Sequence, residues 1–155
     1  MELHNLHYAS KQIYQLTCKM QVSEEKNMRS DCPVSYALDF WGDKWTFLVI
    51  RDLVEGKKFY KDFLNSKEGI ATNILSDRLK KLENNEIIES QVYQKLKTKK
   101  EYRLTRKGKD LIPVLIEMIV WSAKYHDGLA VTQNFLEKAR MDREELIKMI
   151  TSRLE

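Results

Sequence analysis

Glycine and proline are scarce in this 155-residue chain, five and two in all, and only two cysteines occur, Cys18 and Cys32. So few turn-formers, beside 43% hydrophobic and 32% charged residues, exclude a disordered chain and a loop-rich disulfide scaffold. Long apolar runs are missing too: no stretch approaches the roughly 18 residues of a membrane span. The opening MELHNLHYASKQIYQ has no basic start leading into an apolar segment, so a cytoplasmic location is expected, with both cysteines as reduced thiols. Histidines are sparse. His4 and His7 at i, i+3 with Cys18 lack a fourth ligand at recognisable spacing, and His126 stands apart, so neither metal nor cofactor is expected. The chain also lacks a phosphate-cradling glycine loop and a nucleophile, base and orienting-acid grouping, which argues against an enzyme.

What is present is one domain's length of helix-forming sequence with an uneven charge. The formal net charge is +4, but Lys44 to Lys109 holds 17 Lys and Arg against 9 Asp and Glu, and the remainder 10 against 14. A basic centre suits a polyanion and mildly acidic flanks suit other partners, although solvated basic faces are also common.

Residues 2 to 22 carry Leu3, Leu6, Ile13, Leu16 and Met20 at loosely helical spacing, followed by a polar linker that ends near Asp31. Asp31 or Cys32 can cap a helix opened by Pro33, with Val34, Ala37, Leu38 and Trp41 as its apolar stripe. After Gly42, DKWTFLVIRDLVEG reads as a core helix between Asp43 and Gly56, with Trp45, Leu48, Val49, Asp52 and Leu53 on one face. KKFYKDFLNSKEG gives a short helix with Phe59, Phe63 and Leu64 inward, stopped before Gly69. GIATNILSDRLKKLENNEII follows, with Ile70, Ile74, Leu75, Leu79 and Leu82 as the buried stripe. EIIESQVYQ and EYRLT then form a hairpin around KLKTKK. Thr105 caps a helix expected from about Arg106 to Tyr125, and a further amphipathic helix carries Phe135, Leu136, Ala139, Leu146, Ile147 and Ile150. The fold class expected is mainly α with a small β-wing: a winged helix-turn-helix with additional N- and C-terminal dimerisation helices. Its domains are residues 1–31 as a helical arm and linker, 32–127 as the core with a dimerisation helix, and 128–155 as a helical extension.

A helix of 10 to 12 Å diameter fits the major groove, and the N-terminal residues of a recognition helix meet base edges. Thr72, Asn73, Ser76, Asp77 and Lys80 occupy the outer face of the Gly69 to Ile88 stretch. Asn pairs in bidentate fashion with adenine, and Thr offers a hydroxyl and a methyl suited to thymine. The same residues read equally as helix caps and solvated surface. Lys95, Lys97, Lys99 and Lys100 crowd the hairpin tip, where a phosphate backbone would relieve their repulsion, although lysines also guard strand edges. Lys58 is a further candidate for the backbone. The apolar arc of the Arg106 to Tyr125 helix is too wide for one small domain to cover. Leu115, Met118, Ile119 and Ser122 are therefore candidate dimer contacts, with Val114, Trp121 and Tyr125 widening the face.

CPVSYALDFWGDKWTFLVIRDLVEGKKFYKDF, GIATNILSDRLKKLENNEII and YRLTRKGKDLIPVL with its following tryptophan closely resemble the HxlR-type winged helix-turn-helix transcription regulators, relatives of the MarR group. The resemblance runs from about Cys32 to Tyr125 and rests on Cys-Pro at 32 and 33, Gly-x-Lys-Trp at 42 to 45, and Leu-Thr-x-x-Gly at 104 to 108. It implies a cytoplasmic homodimer on a palindromic or pseudo-palindromic operator of double-stranded DNA, acting as a repressor. Recognition carries over to Thr72, Asn73, Ser76 and Arg78, with Lys80 beside them, and the wing role to Lys97, Lys99 and Lys100. In several such proteins the Cys-Pro cysteine senses oxidants or electrophiles, which makes Cys32 a candidate redox sensor. A thiol at a helix N-terminus sees the positive end of the helix dipole, which favours thiolate, while Asp31 opposes it; a small buried hydrophobe is the alternative role. The segments before Cys32 and after His126 are longer than that family's core.

Two other readings compete. A winged helix can serve as a dimerisation or protein-docking module, and salt separates the two, because only a DNA binder loses affinity steeply as ionic strength rises. Alternatively a small aromatic or phenolic ligand could sit among Trp41, Trp45, Trp121 and Tyr125, although such faces also serve as core or interface.

Overall fold

In a computed structural model, residues 30–95 and 97–154 are described. The arm expected before Ser30, with His4, His7 and Cys18, lies outside the described residues. The chain divides into two units, residues 1–43 and 44–155.

In the first unit, Cys32 in extended conformation is the N-cap of helix α1 (Pro33–Trp41), and Pro33 opens it. Proline at this position gives up no helical hydrogen bond, and its fixed φ suits the first turn. Of the apolar stripe of α1, Val34 and Leu38 are exposed, Ala37 and Trp41 are half-buried, and no residue of the helix is fully buried. Tyr36 and Phe40 stack edge to face at 4.6 Å.

The second unit begins with α2 (Lys44–Val54), then α3 (Tyr60–Leu64) and α4 (Thr72–Asn84), a hairpin of β1 (Ile88–Val92) and β2 (Lys100–Leu104), and α5 (Arg106–Lys109), α6 (Ile112–Tyr125), α7 (Gln133–Met141) and α8 (Arg143–Ser152). The turn between α3 and α4 passes through Gly69 at φ 66°, a left-handed conformation that favours glycine. Helix α4 buries Leu75, Leu79 and Leu82 against α2 and the hairpin, where Val49, Ile50, Leu53, Phe63, Ile88 and Leu104 complete a core. Each such leucine contributes roughly 1.5–3 kcal/mol by leaving water. The strands pair antiparallel, with Ile88 opposite Leu104 and Ser90 opposite Tyr102. That register puts Ile88, Tyr102 and Leu104 inward and sets Glu89 beside Arg103 outside, 3.5 Å apart.

Two helices expected as single pieces are broken. The Arg106 to Tyr125 stretch splits into α5 and α6, because Pro113 lacks an N–H and its ring would clash with the carbonyl four residues back. The C-terminal stretch splits at Asp142, whose carboxylate accepts the Glu145 N–H at 3.2 Å and caps α8. Helices α7 and α8 fold back on α6, where Ile112, Ile116, Ala139 and Leu146 form a second core flanked by Val120, Phe135 and Ile147. Among the described residues no helix is long and apolar enough to cross a membrane.

The link between hairpin and α6 is made by Thr105 and Gly108. The Thr105 hydroxyl donates to the Glu86 carbonyl at 2.6 Å and accepts the Gly108 N–H at 3.1 Å, capping α5. A Cβ on Gly108 would lie 2.0 Å from the Ile87 carbonyl oxygen, so no other residue fits against that backbone. This close approach is the physical content of the Leu-Thr-x-x-Gly pattern.

Candidate nucleic-acid interface

Helix α4 starts without a side-chain cap, because its N-cap residue is Ala71. The reading of Thr72 and Asn73 as cap residues therefore fails: both stand inside the first turn, exposed, as do Ser76, Asp77 and Lys80 further along. The leading N–H groups of a helix have no intrahelical partner, so this end offers donors beside the side chains. Arg78 departs from expectation. It is half-buried, because it stands three residues after Leu75 and four before Leu82, beside the buried stripe, and its guanidinium lies 2.9 Å from the Asp77 carboxylate. That pairing offsets the one acidic group on the outer face.

Tyr60 was not foreseen. From the first turn of α3 its hydroxyl donates to the Thr72 carbonyl at 2.8 Å and lies 2.9 Å from the Ser76 hydroxyl. No local sequence signal marks it, since its partners are 12 and 16 residues away.

The wing is drawn to this motif by backbone pairing. Phe59 forms a bridge with Glu101, and the Tyr102 N–H donates to the Lys58 carbonyl at 2.8 Å. Lys97, Lys99 and Lys100 are all exposed; Lys100 opens β2 rather than sitting in the turn, and the Lys99 ammonium lies 5.9 Å from the Phe59 ring centre. Lys58 is exposed but lies 3.3 Å from the Glu101 carboxylate, so it is already partnered within the chain.

Beneath the motif, Asp52 is only 2% exposed. Its carboxylate meets Arg51 at 2.7 Å and Lys57 at 3.0 Å and accepts the Ser66 hydroxyl, which satisfies a charge that would otherwise be costly to bury. Arg51 reaches on to Glu68 through two hydrogen bonds of 2.5 and 3.0 Å. Chiefly through those bonds, Glu68 is held down at about 2. This network ties α2 to the turn before α4. The sequence put Asp52 on the buried face of its helix but gave no sign of these partners.

On α6, Leu115 is buried within its own chain, which corrects its assignment to an interface. Ile119 and Ser122 are half-buried, and the Ser122 hydroxyl donates to the Met118 carbonyl at 2.7 Å. The outward stripe is instead Val114, Met118, Trp121 and Tyr125, exposed by 40, 45, 66 and 65%. Trp121 and Tyr125 stack at 5.4 Å on that open side. An open cleft of about 600 Å³ lies elsewhere, lined by Arg51, Lys57, Glu68, Ile119, Val131 and Phe135 among others. Cys32 is half-buried and carries a free thiol.

A short helix, a turn, a groove-sized helix with a polar outer end and an adjoining two-stranded hairpin define a winged helix-turn-helix protein. The sequence comparisons place it further: residues 40–129 match the model of the HxlR-like helix-turn-helix family, and the chain belongs to that family of transcriptional regulators. It is 34% identical over 115 residues to the uncharacterized HTH-type transcriptional regulator YdeP of Bacillus subtilis (strain 168), covering 74% of this chain and 87% of the relative. Its fold is similar to the redox regulator HypR in its oxidized form, with a TM-score of 0.56 and 32% identity over 62% of this chain and 99% of the other. It is also similar to the reduced form of the transcriptional regulator YodB from B. subtilis, with a TM-score of 0.52 and 36% identity over 62% and 95% of the two chains.

Proposed function

We propose that this protein is a homodimeric repressor that binds a palindromic operator in double-stranded DNA, with α4 in the major groove and the hairpin lysines on phosphate. The observation that supports it best is the exposed Thr72, Asn73, Ser76 and Lys80 on a helix whose other face is fully packed, beside the exposed Lys97, Lys99 and Lys100. Short hydrogen-bonding groups at a helix start suit base edges, and lysines release counterions from the backbone. Dimerisation through the exposed stripe of α6 supplies the second recognition helix that affinity and specificity require.

Regulation by oxidants or electrophiles is part of the reading. Cys32, half-buried at the N-cap of α1, is the candidate sensor, and the likeness to a redox regulator supports it. Oxidation to an intersubunit disulfide would reset the geometry of the pair and lower operator affinity.

The experiment is to incubate the purified, reduced protein with sheared DNA from its own genome and sequence the retained fragments, before and after mild oxidant. A few fragments sharing an inverted repeat, lost on oxidation in the wild type but kept by Cys32→Ser, are expected. Retention of all fragments or none would replace the reading with a nonspecific DNA binder or a protein-docking module.

A further inference from the structure

The hydrogen bonds of Tyr60 fix the direction of the Ser76 hydroxyl. A phenol has one proton, and the Thr72 carbonyl 2.8 Å away can only accept, so the proton of Tyr60 is committed there. Ser76, 2.9 Å from the phenol oxygen, must then be the donor in its own contact. Its single proton points back into the protein, and what its exposed oxygen presents outward is lone pairs alone.

We infer that Tyr60 is a positioning residue for sequence recognition, converting Ser76 from an ambivalent hydroxyl into an acceptor-only reader. This rests on the DNA-binding reading above. In the major groove the base-edge donors are the adenine N6 and cytosine N4 amino groups, whereas guanine N7 and O6 and thymine O4 only accept. On the strand that Ser76 faces, the contacted base is therefore adenine or cytosine. Phosphate oxygens, also acceptors, repel the same lone pairs, so Ser76 contributes to specificity rather than to backbone affinity.

The test is selection from a randomised duplex library by the full-length wild type, Tyr60→Phe and Ser76→Ala, followed by competition binding with single-base variants of the selected site. One base pair in each half-site should be preferred about five- to tenfold over its reverse in the wild type, with its adenine or cytosine always on the same strand. Tyr60→Phe frees the Ser76 proton to turn outward and should bring that preference to within twofold. Ser76→Ala, at an exposed position that leaves packing untouched, should flatten the same position. Neither variant should change the other positions or the salt dependence. If Tyr60 merely held the fold together, its loss would weaken all sequences alike and leave the preference intact. A wild type indifferent to which strand of that pair carries the amino donor, or an unchanged preference in Tyr60→Phe, overturns the inference while leaving DNA recognition standing. No enrichment of any sequence by the wild type overturns both.

Discussion

Helix α4 buries Leu75, Leu79 and Leu82 and turns Thr72, Asn73, Ser76 and Lys80 outward, whereas α6 buries Ile112, Leu115 and Ile116 and turns Val114, Met118, Trp121 and Tyr125 outward. Their inner faces do the same job with the same kinds of residue. The outer faces differ in what water does to them. Short polar groups on α4 are well solvated and give up their water only for hydrogen bonds of matched direction, as base edges supply. Aromatic rings on α6 expose large apolar areas that gain free energy when any complementary apolar surface covers them. Nearly equal amphipathic patterns thus fit partners of opposite chemistry, and the outer face carries the distinction.

The comparison breaks most visibly at Trp121. In a twofold pair each residue of the patch is used twice, so Trp121→Ser should weaken dimerisation on the order of 100-fold or more, read by analytical ultracentrifugation across protein concentration. The melting point of the isolated subunit should hardly move, because the ring is exposed. An unaltered dimer constant would mean that the stripe is not the interface.

At the joint between the two helices, Gly108→Ala forces a methyl group against the Ile87 carbonyl, a backbone atom that cannot step aside. A loss of about 3 kcal/mol is expected by urea unfolding. A loss under about 1 kcal/mol would show that the joint is slack.

The outer face of α4 and its wing are sharpened by salt. Replacing Lys97, Lys99 and Lys100 with glutamine should reduce the slope of log affinity against log salt by about 0.9 for each lysine that meets phosphate, with base preference unchanged. A slope equal to the wild type's would reduce these lysines to guards of a strand edge.

The smallest effect is expected at Glu68. Its carboxyl drops from an ordinary 4.5 to about 2, chiefly through the hydrogen bonds from Arg51. A lowered acid contributes stability above the unfolded value and loses it as pH falls. The pair therefore stabilises fully above about pH 4.5 and loses its contribution toward pH 2. Glu68→Gln should flatten the pH dependence of unfolding within that window and leave stability at pH 7 changed only slightly, since the pair is partly solvated. An identical acid profile in the variant would remove Glu68 from the network.

Residues three and four apart were read well from sequence, and those related across the fold were not. The leucines of α4 are legible because burial imposes a period, and the two strands are legible from their β-branched and aromatic content. The breaks at Leu111 and Asp142 were not, because apolar spacing continued across them; Pro113 and the capping carboxylate of Asp142 held the only local signals. Leu115 illustrates a second limit. A wide apolar arc shows that a helix has two occupied sides without showing which side its own chain covers, and only the fold shows Leu115 buried and Met118 exposed. Arg78 takes its recognition role from the family resemblance alone, and its helical position beside the buried leucines leaves it half-buried. Apart from the adjacent Arg51, the partners of Asp52 and Tyr60 lie 5 to 16 residues along the chain and leave no periodic trace.

The bonds from Thr105 to Glu86 and the contact of Gly108 with Ile87 fasten the root of α6 directly behind the end of α4. In the proposed dimer this makes α6 a ruler. Its 14 residues span about 21 Å, and sliding one copy along the other by a single turn displaces the recognition helices by about 5.4 Å, more than the step from one base pair to the next. The spacing of an operator's two halves would then be written in the place where two copies of α6 cross, far from any residue that touches a base.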